Sequence, residues 1–172
     1  LGDFGTKLTP EHVSTRSGGY NIFHMNDECP ELNDLLKFFK DSYYDYLDNV
    51  LPNKTFSNDS LDPGINCWLN VLRESENIGI HRHANDYGDL WSFVSGTFVL
   101  RAKNTTTNYK NNDETCKVEN IDGEMTIFPP YYYHWTDIHQ DETSRLTLGF
   151  DFLFRREHAI GDKDFHDNLV GL

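Results

Sequence analysis

The chain has 172 residues, 37% hydrophobic and 14% aromatic, and its 28 Asp and Glu against 15 Lys and Arg give a formal charge of −13. Such a surface, with no Lys/Arg run, repels phosphate backbones, so nucleic acid is disfavoured and a small molecule or a peptide is the expected partner. Three cysteines without C-x-x-C spacing, and no apolar stretch of transmembrane length, argue against a disulfide framework and a membrane role and for a reducing, cytoplasmic setting.

Residues Leu1 to His24 show little period, which predicts an irregular lead-in with one short strand around Tyr20 to Phe23. Asp27-Glu28-Cys29-Pro30 then opens a helix, since Pro suits the first turn and acids suit the N-terminus. Leu32, Leu35, Leu36, Phe39, Tyr43 and Leu47 recur on one helical face, and Pro52 ends the run. From Ile65 onward the pattern becomes short strands: Ile65 to Leu72, Ile78 to His81, Trp91 to Ala102, Cys116 to Glu119, Met125 to Phe128, Tyr132 to Thr136 and Arg145 to Phe154. Asn104 to Glu114 is Asn/Thr-rich and reads as a loop or hairpin end, Asp122-Gly123 reads as a tight turn, and Arg155 to Leu172 is charged without clear pattern. The expectation is one mainly β domain, a jelly roll over 65–154 with a lead-in and covering helix over 1–64 and a charged tail over 155–172.

Three polar anchors stand on that core: His81-Arg82-His83, then His134 after Phe128-Pro129, then Arg145-Leu146-Thr147. Imidazoles are common ligands of Fe, Zn, Cu and Ni. His81 and His83 sit where a short strand ends, and strand side chains at i and i+2 share a face. On the last long strand Arg145, Thr147 and Gly149 share one face and Leu146, Leu148 and Phe150 the other. An Arg on so apolar a strand wants an anion beside it, because a buried unpaired charge is costly. A guanidinium grips a carboxylate through two bonds, so the anchors suggest a metal working with a small dicarboxylate. Singly, each has a blander reading: a structural histidine, a sheet-edge charge, and core for Trp68 and Cys67. Tyr131, Tyr133 and Trp135 flank His134 and read either as packing or as an aromatic wall for substrate. His139, His12, His24, His158 and His166 read as surface histidines.

Asn66-Cys67-Trp68-Leu69-Asn70, His81-x-His83-Ala84-Asn85, Val94-Ser95-Gly96-Thr97-Phe98-Val99-Leu100, Gly123-Glu124-x-x-Ile127-Phe128-Pro129 with His134, and Arg145-x-Thr147 follow in order. Over about Asn66 to Phe152 the chain thereby resembles the 2-oxoglutarate/Fe(II)-dependent oxygenases, especially the small bacterial and phage-encoded ones. The resemblance implies a double-stranded β-helix core that uses Fe(II), 2-oxoglutarate and O2, in the host cytoplasm for a phage-encoded member. It makes His81 and His134 metal ligands, sets Arg145 on the far carboxylate of 2-oxoglutarate with Thr147 beside it, and has Asn70 and Trp68 line that pocket. It assigns no catalytic side chain beyond the metal site. One departure is plain: most of the wider family has His-x-Asp or His-x-Glu where this chain has His81-x-His83. Either His83 is the third ligand, or Asp86 or Asp89 from the following loop takes its place, or the site keeps two His. The rival readings are a cupin-like three-His metalloenzyme without 2-oxoglutarate and a jelly-roll binding or structural module. Oligomeric state and substrate identity have no signature in the sequence.

Overall fold

A computed structural model describes residues 12–13, 15–16, 21–50, 63–83, 90–155 and 170–171. One helix, α1 (Glu31–Val50), precedes the main strands. The strands are β1 (His12–Val13), β2 (Thr15–Arg16), β3 (Pro63–Leu72), β4 (Asn77–Ile78), β5 (Leu90–Arg101), β6 (Thr106–Asn111), β7 (Glu114–Glu119), β8 (Met125–Phe128), β9 (Tyr133–Thr136), β10 (Arg145–Arg155) and β11 (Val170–Gly171). The larger sheet runs β11-β3-β10-β5-β8, with β2 also paired to β3, and the smaller runs β7-β6-β9; every pairing is antiparallel. The fold is mainly β, a jelly roll with an N-terminal helix, as the strand spacing predicts.

The register of the larger sheet gives it two chemically different faces. Opposite one another on the first face lie Cys67 and Phe150, Ile65 and Phe152, and Val94 and Phe152. The helix covers this face: Phe39 packs tilted on Phe150 at 4.6 Å and Tyr43 on Phe152 at 4.6 Å, both helix residues being buried. Each such side chain stabilises the fold by roughly 1.5–3 kcal/mol through area removed from water. The helix therefore forms where its periodicity predicts, with Pro30 immediately before its first residue and Leu32, Leu35, Leu36 and Leu47 on the packed side.

The second face carries Trp68 opposite Gly149, Asn70 opposite Thr147, Leu72 opposite Arg145 and Ser95 opposite Asp151. It looks toward the small sheet, where Tyr109 of β6 hydrogen-bonds through its hydroxyl to Thr97 and Thr126 across the gap. Gly149 is required here, since a Cβ at that position would lie 2.6 Å from Trp68 Nε1. The small sheet is extended by backbone bonds outside its named strands. His81 N–H donates to His134 O at 3.0 Å and His134 N–H to His81 O at 2.8 Å, which brings the β4 segment alongside β9.

Four local expectations need correction. Ile22–Met25 is a single 3-10 turn rather than a strand, because buried Asn21 caps it, accepting from Phe23 N–H at 3.2 Å while donating to Ile65 O at 2.7 Å. The Asn/Thr-rich segment is a strand, β6, hairpinned to β7. Its buried Thr107 and Tyr109 suit a pleated surface, and Asn108 is satisfied sideways by Asp137 at 3.1 Å, so polarity there does not mean loop. Strand β4 is only two residues, with His81 joined to β9 by an isolated bridge. Residues 170–171, inside the patternless tail, pair with β3. The Asp122-Gly123 turn forms with Gly123 at φ +82°, a backbone conformation that suits glycine. Pro52, Asp86 and Asp89 lie outside the described residues.

Candidate metal centre

Three imidazoles meet where the segment after β4 faces the start of β9. His81 and His134 are held together by their reciprocal backbone bonds, and His83 is fixed by its N–H donating to Pro130 O at 3.0 Å. The ring centroids lie 4.1 Å (His81–His134), 4.9 Å (His83–His134) and 5.3 Å (His81–His83) apart. One nitrogen from each converges, all within 4.8 Å of one another, so the cluster could hold a metal ion. Nitrogens about 2.1 Å from a shared ion stand at most ~4.2 Å apart, so a shift of a few tenths of an ångström closes the set.

Nδ1 of each ring faces an acceptor. Nδ1 of His81 faces Gly79 O at 2.9 Å, Nδ1 of His134 faces Tyr132 O at 3.3 Å, and Nδ1 of His83 faces Asp151 Oδ1 at 2.7 Å. Such acceptors favour the proton on Nδ1, which makes Nε2 the nitrogen suited to a metal. Burial, with the nearby His81 and His83, lowers the His134 pKa to about 2, so that ring is neutral at ordinary pH. Asp151 also accepts from Ser95 Oγ at 2.6 Å.

The second anchor is Arg145, 2% exposed at the start of β10. Its Nη2 donates to Thr107 Oγ1 at 3.0 Å and Asn120 Oδ1 at 3.4 Å, while its Nε and Nη1 are buried without a partner among the described residues. Burial lowers its pKa to about 10, against a partial offset from Tyr109, so it remains a cation below that pH. A buried guanidinium with two open nitrogens is the donor set that a carboxylate fills. A cavity of about 270 Å³ opens beside it, lined by Leu72, Thr136 and His139 among others.

Of the residues singled out from the sequence, His81, His83 and His134 come together. Trp68 joins them, its ring 5.5 Å from that of His83, while Thr147 and half-buried Asn70 face one another on the same sheet face as Arg145. Tyr133 and Trp135 do not join them. Alternation along β9 turns them to the side opposite His134, and Tyr133 instead lies under the guanidinium of Arg82 at 5.1 Å. Tyr131 is 52% exposed. His139 is not a surface residue: it is 3% exposed, with Nε2 donating to Thr143 O at 2.8 Å.

Two residues escaped sequence reasoning. Tyr109 is buried between the anchors, its ring stacked on that of His134 at 6.1 Å, and burial raises its pKa to about 12 although the Arg145 charge works the other way. The polarity of its segment hides it, since Asn104 to Glu114 reads as a loop or hairpin end. Asp151 was legible, since the polar face of Arg145, Thr147 and Gly149 reaches it by one more step of two.

No family model matches the sequence, and no curated protein sequence is similar to it. Solved structures do share its shape. A prolyl hydroxylase from Trichoplax adhaerens, in complex with a hypoxia inducible factor oxygen degradation domain peptide fragment, aligns with 82% of this chain and 63% of its own at 12% identity and TM-score 0.57. A 2OG-Fe(II) oxygenase family oxidoreductase from Burkholderia pseudomallei aligns with 59% of this chain and 48% of its own at 18% identity and TM-score 0.49. A prolyl-4-hydroxylase from Pseudomonas putida aligns with 54% and 52% at 18% identity and TM-score 0.46. The chain thus spans about half the length of the two bacterial proteins. The likeness is one of fold, and the Trichoplax structure carries it.

Proposed function

We propose that the protein is a non-haem Fe(II)- and 2-oxoglutarate-dependent dioxygenase that hydroxylates a small molecule or a peptidyl residue. The observation that carries this is the pairing, inside one jelly roll, of three converging imidazoles and a buried Arg145 with two nitrogens that have no partner among the described residues. His81, His83 and His134 would hold the metal, which would bring the redox chemistry of the co-substrate and O2 to this pocket. Arg145 holds the far carboxylate of 2-oxoglutarate, with Thr147, Asn70 and Tyr109 bounding the space between. Iron with 2-oxoglutarate and O2 supplies the oxidation of a substrate C–H bond, with succinate and CO2 as co-products. The protein's share is to orient the acid by two fixed ends and to keep the pocket dry. The fold shared with a peptide-bound prolyl hydroxylase supports a peptidyl substrate as readily as a free metabolite.

A second reading has one observation in its favour: among the described residues the converging ligand set is three His with no carboxylate, which also suits a cupin-like metalloenzyme that needs no 2-oxoglutarate. Anaerobic addition of Fe(II) and 2-oxoglutarate to metal-free protein separates the two. The oxygenase reading expects a visible charge-transfer band that His134→Ala abolishes. Metal binding without a band moves the cupin-like reading to the front. Absence of metal binding leaves a jelly-roll binding module.

A further inference from the structure

We propose that Asp151 is the positioning residue that makes His83 a metal ligand, by fixing its ring and by supplying one hydrogen bond away the negative charge that three imidazoles lack. This rests on the metal reading of the histidine cluster and not on the use of 2-oxoglutarate. His81 and His134 need no such help, because two backbone hydrogen bonds lock them to each other and their Nδ1 atoms face backbone carbonyls. His83 differs. Its Nδ1 faces a side chain of the other sheet, the carboxylate of Asp151 at 2.7 Å, and the two side chains are 12% and 15% exposed.

Asp151 is itself held. It stands directly opposite Ser95 in the β10–β5 register, and Ser95 Oγ donates to the same oxygen, Oδ1, at 2.6 Å. On either side along β10, Phe150 and Phe152 turn to the helix and are fully buried, so the backbone at Asp151 has little freedom to move. The chain Ser95–Asp151–His83 therefore spans from the larger sheet to the metal pocket and sets where the third nitrogen points. A carboxylate on the far nitrogen also raises the basicity of the ligating one, and loss of such a partner typically weakens metal binding ~10- to 100-fold.

Two substitutions separate the parts of this role. Asp151→Asn keeps an oxygen acceptor for His83 and Ser95 and removes the charge, whereas Asp151→Leu removes both at similar volume. The full chain, stripped of metal, is titrated anaerobically with Co(II) and with Fe(II), and the visible Co(II) spectrum is recorded. Asp45→Asn, an exposed helix position, controls for the simple loss of one negative charge. Expected is affinity ~10-fold weaker in Asp151→Asn and ~100-fold weaker in Asp151→Leu. The Co(II) spectrum should change in Asp151→Leu, and Asp45→Asn should match wild type. Wild-type affinity and spectrum in Asp151→Asn and in any folded Asp151→Leu overturn the proposal, whatever their metal-free melting temperatures, because Asp151 would then serve only the fold. If Asp151→Leu does not fold, Asp151→Asn decides alone. Absence of metal binding by wild type overturns the metal reading and the proposal together. A metal-loaded Asp151→Asn that still gives the 2-oxoglutarate band shows the co-substrate reading standing independently.

Discussion

Replacing Arg145 with Met should push stability and co-substrate affinity in opposite directions. In the metal-free protein Arg145 is a buried cation with two unpartnered nitrogens. Its pKa falls from 12.5 to about 10 mainly through burial, a penalty of roughly 3 kcal/mol on the charged form at neutral pH. Met removes that charge at comparable length. Little is stranded by the change, since Thr107 Oγ1 still donates to Asn120 Oδ1 at 3.0 Å and Asn120 Nδ2 to Thr105 Oγ1 at 3.0 Å. The lost Nη2 bonds offset ~1.5 kcal/mol, leaving a net gain of ~1–2 kcal/mol. For a chain of this length that is a melting temperature ~2–8 °C higher. The folded pKa lies below the unfolded one, so the wild-type penalty is complete below pH 10 and fades between about 10 and 12.5, and the gap between variant and wild type must narrow there. Affinity for 2-oxoglutarate, read from the charge-transfer band, should fall by ~100- to ~4,000-fold, the equivalent of ~3–5 kcal/mol for an anion left without its buried partner. Thermal scans of metal-free protein and anaerobic titrations of the iron form measure both. A variant that melts lower and binds 2-oxoglutarate unchanged would make Arg145 an ordinary structural residue and refute the reasoning.

Phe39→Ala deletes the ring shared by Phe23, Phe98 and Phe150 and should cost ~3–5 kcal/mol, a fall of ~6–20 °C by calorimetry, with metal affinity of the folded fraction unchanged because the helix covers the other sheet face. Gly96→Ala sets a Cβ 2.1 Å from Phe150 Cζ, whose ring is hemmed in by Phe39 and Phe152, so urea unfolding should report a loss of ~1–3 kcal/mol. His134 has its pKa lowered from 6.5 to about 2 chiefly by burial, so the unfolded chain takes up its proton first and metal-free wild type loses stability as pH falls through that window. His134→Asn lacks this loss. Between pH 7.5 and 5.0, in chelator, urea midpoints should move against wild type by ~2 kcal/mol relative to the variant, and parallel curves would contradict a buried neutral ring.

The strands with strong period and the helix were legible because their side chains state which way each residue faces. Met125 to Phe128 is a strand at the predicted bounds, and the predicted helix differs from Glu31–Val50 only at its ends. Alternation along β10 likewise sets Arg145 and Thr147 on one face, as the register shows. What failed was polarity used as a proxy for loop. Thr106 to Asn111 carries Asn at positions whose amides are paired sideways, a contact set by Tyr132 and Asp137 at the two ends of β9 and so invisible locally. His139 misled for the same reason, its partner being a backbone carbonyl that only the loop after β9 brings near. Parity places Tyr133 and Trp135 away from His134, since one residue along is the opposite face of a strand.

That parity explains how one sheet can serve both stability and chemistry. Strand β10 gives its even positions, Leu148, Phe150 and Phe152, to the helix, where each is at most 2% exposed. From Arg145 to Asp151 its odd positions hold an arginine, a threonine, a glycine and an aspartate, none of which contributes a large apolar surface. A sheet stabilised from both sides would have no room for a buried cation with open nitrogens. Here the helix-side aromatics supply the burial along β10, and the other side holds Arg145, with two nitrogens that have no partner among the described residues, and Asp151, facing His83, six residues apart. The same rigid strand thereby sets the geometry of both ends of the site, so a substitution that bends it, such as Gly149→Ala against Trp68, should weaken metal binding and 2-oxoglutarate binding together, whereas Arg145 and Asp151 variants each affect one. Paired titrations of Gly149→Ala with Co(II) and with 2-oxoglutarate test this, and a loss confined to either ligand would mean that the two ends are positioned independently.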